Sequence, residues 1–224
     1  MTGPRETPRP AEAALIQQAA ALVLSYPDER VLASVPTIRA ALAGTDAAAL
    51  FEPVLAHLQG DDLLALQSYH VQEFDLSRRH ALHLTYWTEG DTRRRGEVLA
   101  RLKQVYRDSG LLVDTGGELP DYLPMMLEFT VHDPERGVPL LAGYRPSLEL
   151  LRFGLADDGL PHTGVLEAVC GTLPGESPAS RAEVQAMARA AQPSEEVGLE
   201  PYGAEPPVAF LGMPQLPTPE LQRS

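Results

Sequence analysis

One cysteine, one tryptophan and one lysine stand in 224 residues, and aromatic side chains make up only 6%. A single thiol, Cys170, excludes an internal disulfide and a thiolate zinc cluster. No apolar run approaches the ~20 residues that a membrane-spanning helix needs, so no membrane span is expected. Residues 1–10 carry prolines and charges where a secretory signal has an apolar stretch. The chain is therefore expected to stay in the cytoplasm. Positive charge is also scarce: 18 Lys+Arg stand against 31 Asp+Glu, for a formal charge of −13. That balance repels phosphate backbones and argues against nucleic-acid binding. It suits a basic partner.

Alternating strand patterns and internal repeats are absent as well. What remains is a succession of helical stripes cut by Pro and Gly. The spacing predicts helices over residues 11–25, 28–42, 46–60, 62–74, 76–86, 91–110, 121–131, 139–153, 160–172 and 179–191. The 91–110 segment is expected to start at Asp91 or Thr92, and Pro124 to stiffen a helix entry capped by Asp121. Residues 193–224 hold seven prolines and five glutamates against one arginine, a composition that cannot build a packed core. The expected organisation is a flexible segment 1–10, an all-helical domain 11–192 and a disordered acidic tail 193–224. The tail carries −4, which leaves −9 on the rest; the acidity belongs mainly to the folded part.

Catalytic signals are weak. His80 and His83 are spaced i,i+3 with no glutamate between them, and His70 lies a helix earlier; a metal-dependent hydrolase built on these three is the rival to a binding role, and surface or capping histidines are the plainer reading. There is no Gly-x-Ser-x-Gly, no glycine-rich phosphate loop, and Cys170 sits in an apolar run that marks a buried, inert thiol. No enzyme is indicated.

A binding surface is the stronger prospect. Met125 and Met126 adjoin Tyr122, Leu123, Leu127 and Phe129 on a stretch that is apolar nearly all round, which fits either a core helix or the wall of a groove. Methionine adapts to varied partners. Glu118, Asp121 and Glu128 could meet arginines of a guest, and Tyr69 and Phe74 could line the same groove or pack the core.

Two runs go beyond composition. Residues 82–96 read Leu-His-Leu-Thr-Tyr-Trp-Thr-Glu-Gly-Asp-Thr-Arg-Arg-Arg-Gly, and residues 118–124 read Glu-Leu-Pro-Asp-Tyr-Leu-Pro. Together with Tyr69-His70-Val71-Gln72-Glu73-Phe74-Asp75 they resemble the nitrate reductase molybdenum cofactor assembly chaperones, the delta-subunit family within the TorD/DmsD-type redox-enzyme maturation chaperones. The similarity runs over residues 13–155. Departures fall at Tyr122 and Glu89, where that family often has histidine.

The resemblance implies a single-domain, all-α helical bundle of the TorD/NarJ-like type that is cytoplasmic and not an enzyme. It implies binding of the N-terminal peptide of the nitrate reductase catalytic (alpha) subunit, with cofactor delivery proteins as further partners. Molybdenum cofactor is then cargo of the client enzyme, and none is bound permanently. The peptide-binding residues expected on this basis are Tyr69, Phe74, Glu118, Asp121, Tyr122, Met125 and Met126. A chaperone for a different molybdoenzyme is the near alternative.

Overall fold

The computed structural model describes residues 8–89, 93–111 and 117–191. Eleven α-helices account for most of them, and the described residues contain no strand. The expected helical class is what the chain adopts. The proposed tail at 193–224, the segment 1–7 and the start of the 91–110 helix at Asp91 or Thr92 lie outside the described residues.

Local signals place the first helices. α1 (Pro10–Leu24) begins on a proline at its first position and stops before Pro27, which disfavours helical backbone in the residue ahead of it. Asp28 caps α2 (Glu29–Leu42) by accepting from the Val31 N–H at 2.8 Å. Asp62 does the same for α4 (Leu63–His70) through Ala65 N–H at 2.9 Å. Pro36 and Pro53 interrupt neither α2 nor α3 (Ala47–Gly60). Tertiary burial of Val35, Phe51 and Val54, all fully buried, outweighs the ~3 kcal/mol that an interior proline costs.

α4 runs straight into one π-helical turn, Val71–Asp75, closed by Leu76 N–H on Val71 O at 2.9 Å. Wider turns of this kind rotate the following side chains relative to an α-helix, and here Phe74 turns into the core.

Two expectations fail at the next steps. Residues 76–83 are not helical; the short helix there is α5 (Leu84–Glu89). Its predecessor segment spends backbone hydrogen bonds on a distant partner instead: Leu84 N–H donates to Asp121 O at 3.0 Å and Leu123 N–H to Leu82 O at 2.9 Å. The expected 139–153 helix is two helices, α8 (Pro134–Gly143) and α9 (Arg145–Asp157), broken at Tyr144. Pro146 lies in the first turn of α9, where its missing N–H has no intrahelical partner to lose. α6 (Arg93–Asp108), α7 (Leu123–His132), α10 (Thr163–Gly171) and α11 (Arg181–Ala191) complete the order.

α7 lies at the centre, against α1 and α8. The alanines Ala19, Ala20 and Ala21 of α1 are buried, and small side chains let helix axes approach closely. α10 packs on α3, α9 and α1, while α5 meets α6 and α9. The core joins Leu24, Phe51, Leu84, Met126, Leu148 and Leu166 with their neighbours in one cluster. A second, buried polar device stiffens α9: Glu149, fully buried, accepts from Arg152 Nε at 2.7 Å, and Arg145 donates to the Pro174 carbonyl at 2.6 Å. This network fastens residues 173–178 to the helix. Cys170 is fully buried beside Glu149, and burial pushes its thiol up, in keeping with an inert group.

The α3–α10 crossing depends on Gly164, because a Cβ there would run into the Leu50 backbone carbonyl. A backbone oxygen cannot swing aside as a side chain can. Gly164→Ala is therefore expected to destabilise the domain by about 1–3 kcal/mol, read as a lower urea midpoint with an unchanged slope.

Candidate functional site

The two sequence runs singled out above converge on one carboxylate. Asp121 is fully buried, and its oxygens face groups from two other segments. His83 Nδ1–H donates to Oδ1 at 3.1 Å; the Thr85 N–H donates to Oδ2 at 3.2 Å, joined there by the Thr85 hydroxyl. Arg95, reaching in from α6, donates through its terminal nitrogen to Oδ2 at 3.4 Å and through Nε to Thr85 Oγ1 at 3.0 Å. A bridge between His83 and Tyr122 aligns the two backbones, and Tyr106 of α6 donates to the Pro120 carbonyl at 2.7 Å. Asp121 is thus a knot that ties residues 82–85, residues 118–123 and α6 together.

Burial alone would raise the Asp121 carboxyl. Hydrogen bonds from His83 and Thr85 and the charges of His83 and Arg95 more than offset it, so the group is held below the usual carboxylate range. With its oxygens committed and no access for solvent, it is a poor acid or base for chemistry.

Asp121 does not cap α7, contrary to the expectation. Tyr122 is the residue ahead of that helix, with no side-chain cap, and the Asp121 side chain turns back to His83 and Thr85. An ionised acceptor surrounded by charged and neutral donors gains more there than from one backbone N–H.

The expected peptide-binding residues separate into groups. Glu118 and Tyr122 lie at the surface of the knot: Glu118 is exposed with its carboxylate 3.8 Å from His83 Nε2, and the half-buried Tyr122 ring is 5.5 Å from the His83 ring. Leu119 beside them is exposed as well. Tyr122 also interacts with the backbone of Tyr26, and Asp75 lies near enough to push its phenol up after burial and Glu118. From Tyr26 a line of rings continues through His70 at 5.4 Å to Phe74 at 4.9 Å. Tyr69 and Phe74 both contact the His162 ring.

Met125 and Met126 do not border an open furrow. Met126 is 1% exposed within the main core, and Met125 packs with Tyr106 and Phe129 in a smaller cluster under α6. The reason is α7's central position: an all-round apolar helix there is covered on one side by α1 and on another by α8 and α6 residues. Neither methionine exposes more than 9% of its surface.

The three histidines of the hydrolase alternative have separate partners. His70 packs between the Tyr26 and Phe74 rings, and His83 holds Asp121. His80 is buried, not a surface residue: its Nδ1–H faces the Glu73 backbone carbonyl at 3.2 Å, and Nε2 lies 3.0 Å from Asp158 without hydrogen-bond alignment. Gly154 permits that arrangement, since a Cβ there would strike the Arg79 carbonyl. Among the described residues no three His, Cys, Asp or Glu side chains are grouped to hold a metal ion. Sequence reasoning missed Thr85, Arg95, Tyr26 and His162. The first two sit inside the 82–96 run and were detectable as part of it; nothing local marks the others.

The family model described as nitrate reductase delta subunit matches residues 35–152. The nitrate reductase-like protein NarX of Mycobacterium tuberculosis (strain H37Rv) is 38% identical over 159 residues, 70% of this chain and 24% of that protein. The nitrate reductase molybdenum cofactor assembly chaperone NarJ of Escherichia coli K12 is 34% identical over 91 residues, covering 40% of this chain and 38% of its own. The chain therefore spans well under two thirds of the length of these relatives. A crystal structure described as a redox enzyme maturation protein from Archaeoglobus fulgidus superposes with a TM-score of 0.53 at 22% identity, covering 75% of this chain and 97% of that one. At that identity the likeness concerns the fold alone.

Proposed function

This chain belongs to the nitrate reductase delta subunit family, and from that premise we propose that it is an assembly chaperone, not an enzyme, that holds the N-terminal segment of a nitrate reductase catalytic subunit while molybdenum cofactor is inserted. The similar E. coli protein is named as such a chaperone. The work is done in the cytoplasm; no helix among the described residues is long and apolar enough to cross a membrane. Molybdenum cofactor is cargo for the client, and proteins that deliver it are transient partners.

The observation that carries this reading is the Asp121 knot. It fixes a surface where Glu118, Tyr122, Leu119, Tyr26 and Asp75 present carboxylates and apolar rings side by side, which suits a segment that alternates arginines with apolar residues. Glu118 and Tyr122 touch the guest. Asp121, Met125, Met126, Phe74 and Tyr69 hold the surface in shape from beneath, the last two against the His162 ring.

Calorimetric titration with the alpha subunit's N-terminal peptide is the test. Saturable one-to-one binding near neutral pH is expected, and affinity should fall about tenfold or more between 20 and 300 mM salt as exposed carboxylates are screened. No heat at low salt would overturn the reading. A salt-insensitive affinity would remove its electrostatic part.

A further inference from the structure

Positive charge is scarce in this chain and unevenly spread. α6 holds five arginines and a lysine against one glutamate and one aspartate in 16 residues, a third of the 18 Lys+Arg in the sequence. Its inner side packs on the domain: Leu102 and Tyr106 are buried, with Leu99 and Val105 against the two apolar clusters. Arg95 belongs to the Asp121 knot, and Arg94 meets Glu89 at 3.3 Å. The other four cations, Arg93, Arg101, Lys103 and Arg107, are exposed and join no ion pair among the described residues. Even Asp108, at the end of the helix, accepts from Gln104 Nε2 at 2.7 Å rather than from a cation. Elsewhere Arg39, Arg79, Arg136, Arg152 and Arg181 each meet a carboxylate at 2.7–3.0 Å.

At 3.6 residues per turn, Arg93, Lys103 and Arg107 fall within about 80° of one another and run for ~21 Å along the outer side of α6. Between them on that arc stand only Gly96 and Ala100, both exposed, and a Cβ on Gly96 would meet nothing within 4 Å. The result is a low, open ridge of positive charge on an otherwise acidic molecule. A helix that lies on a membrane puts an apolar face into the lipid beneath its cations. α6 already buries its apolar face, and none of the large hydrophobics exposed among the described residues stands on it. A phosphate ligand needs donors that converge on one point, and these are strung out. Nucleic acid and anionic lipid also repel the rest of a chain that carries −13. Carboxylates spread over the surface of a folded protein match both the sign and the spacing.

We propose that the outer face of α6 docks a second protein through a carboxylate-rich surface. The arginine-bearing guest is repelled there and is held at Glu118 and Tyr122 instead. The chain then bridges two partners of opposite charge, and the Arg95–Asp121 contact ties the two surfaces to one another. The place of the guest rests on the function proposed above; the α6 face does not.

Fluorescence anisotropy tests the face, using the full chain and a labelled 16-residue peptide of alternating Glu and Ser, with the same peptide carrying Gln for Glu as its neutral counterpart. The acidic peptide should bind saturably at 20 mM salt, and about tenfold or more weakly at 200 mM. The neutral peptide should bind about tenfold or more weakly than the acidic one. Arg93→Gln, Lys103→Gln and Arg107→Gln together should cost the acidic peptide about tenfold in affinity, whereas Arg30→Gln, Arg78→Gln and Arg189→Gln, the same charge change at exposed cations elsewhere, should cost less than about threefold. No binding of the acidic peptide, equal binding of both peptides, or equal losses from both triple variants would overturn the proposal. Retention of the chain on vesicles with 30% phosphatidylglycerol that the α6 variant loses would overturn it in favour of lipid. Displacement of the peptide by micromolar pyrophosphate would do so in favour of a phosphate ligand. The comparison of peptides on the unmodified chain stands even where a variant folds poorly. Calorimetry with the alpha subunit's N-terminal peptide separates the two surfaces: the α6 variant should bind it as the parent does, and an equal loss there would merge the surfaces and sink the proposal. Acidic-peptide binding at α6 with no heat from the guest peptide upholds the α6 face and sinks guest holding. Heat from the guest peptide with no acidic-peptide binding does the reverse.

Discussion

Asp121→Ala is expected to lower the unfolding free energy by about 3 kcal/mol, with a fall in melting temperature on the order of 10 °C for a domain of this size. The substitution removes the acceptor shared by His83, Thr85 and Arg95. Thr85, fully buried, is left with an unanswered N–H, and the Arg95 guanidinium loses its contact with the buried carboxylate. Asp121→Asn preserves volume but keeps only one accepting oxygen and carries no charge, so it cannot answer the donors on both sides and should recover less than half of the loss. Because the folded carboxyl is held below its ordinary value, its contribution is present above the unfolded pKa near 3.8 and is lost as pH falls through the lower folded value. Denaturant unfolding at pH 7 measures the loss. A variant as stable as the parent would show that the knot adds nothing to the fold. The same variant should bind the guest peptide weakly, since residues 118–122 lose the anchor that positions Glu118 and Tyr122.

Acid should destabilise this domain well before its carboxylates titrate. His162 is almost completely buried, and burial first, then the neighbouring His57 and His70, push its pKa down to about 3, against a partial upward pull from the Val23 backbone. An unfolded chain therefore holds a proton on this ring below pH 6.5 that the folded chain refuses until about pH 3. Stability is complete above 6.5 and falls by about 1.4 kcal/mol per pH unit below it, or about 2 kcal/mol by pH 5 from this residue alone. His57 and His70, lowered by the same burial, add to the slope. His162→Phe leaves the Val23 carbonyl unpaired and should cost about 1 kcal/mol at pH 7.5, yet lose stability more slowly on acidification, so that the two curves cross at about pH 6 and the variant is the more stable by about 1 kcal/mol at pH 5. Parallel curves from pH 7.5 to 5 would contradict the assignment.

Much of the helical order was legible because each stripe ends at a residue with a local reason to end it. Asp28 and Asp62 cap as their positions suggest, and Pro27 stops α1. Residues 76–83 misled because Leu82 and the adjoining Leu84 spend backbone bonds on Leu123 and Asp121, some 40 positions away, and periodicity carries no record of such a partner. Tyr144 was read through for a related reason: the stripe continues across the break, and only the Pro146 first turn hints at it. For the site, the two runs at 82–96 and 118–124 were visible as patterns, and their meeting at one carboxylate was not. Met125 and Met126 show the limit most plainly. An apolar surround is equally good for a groove wall and for a central helix, and only the packing of α1 and α8 on α7 decides which. His162 gave no sign in its own neighbourhood, since its burial depends on α1, α3 and α4 closing over the start of α10.

The most direct test of the proposed assembly role is the molybdenum content of the proposed client. Nitrate reductase purified from cells with and without this chain should differ sharply: about one molybdenum per catalytic subunit when the chain is present, and a small fraction of that when it is deleted or carries Asp121→Ala. Full molybdenum loading in its absence would contradict the role of this protein as the chaperone for that step.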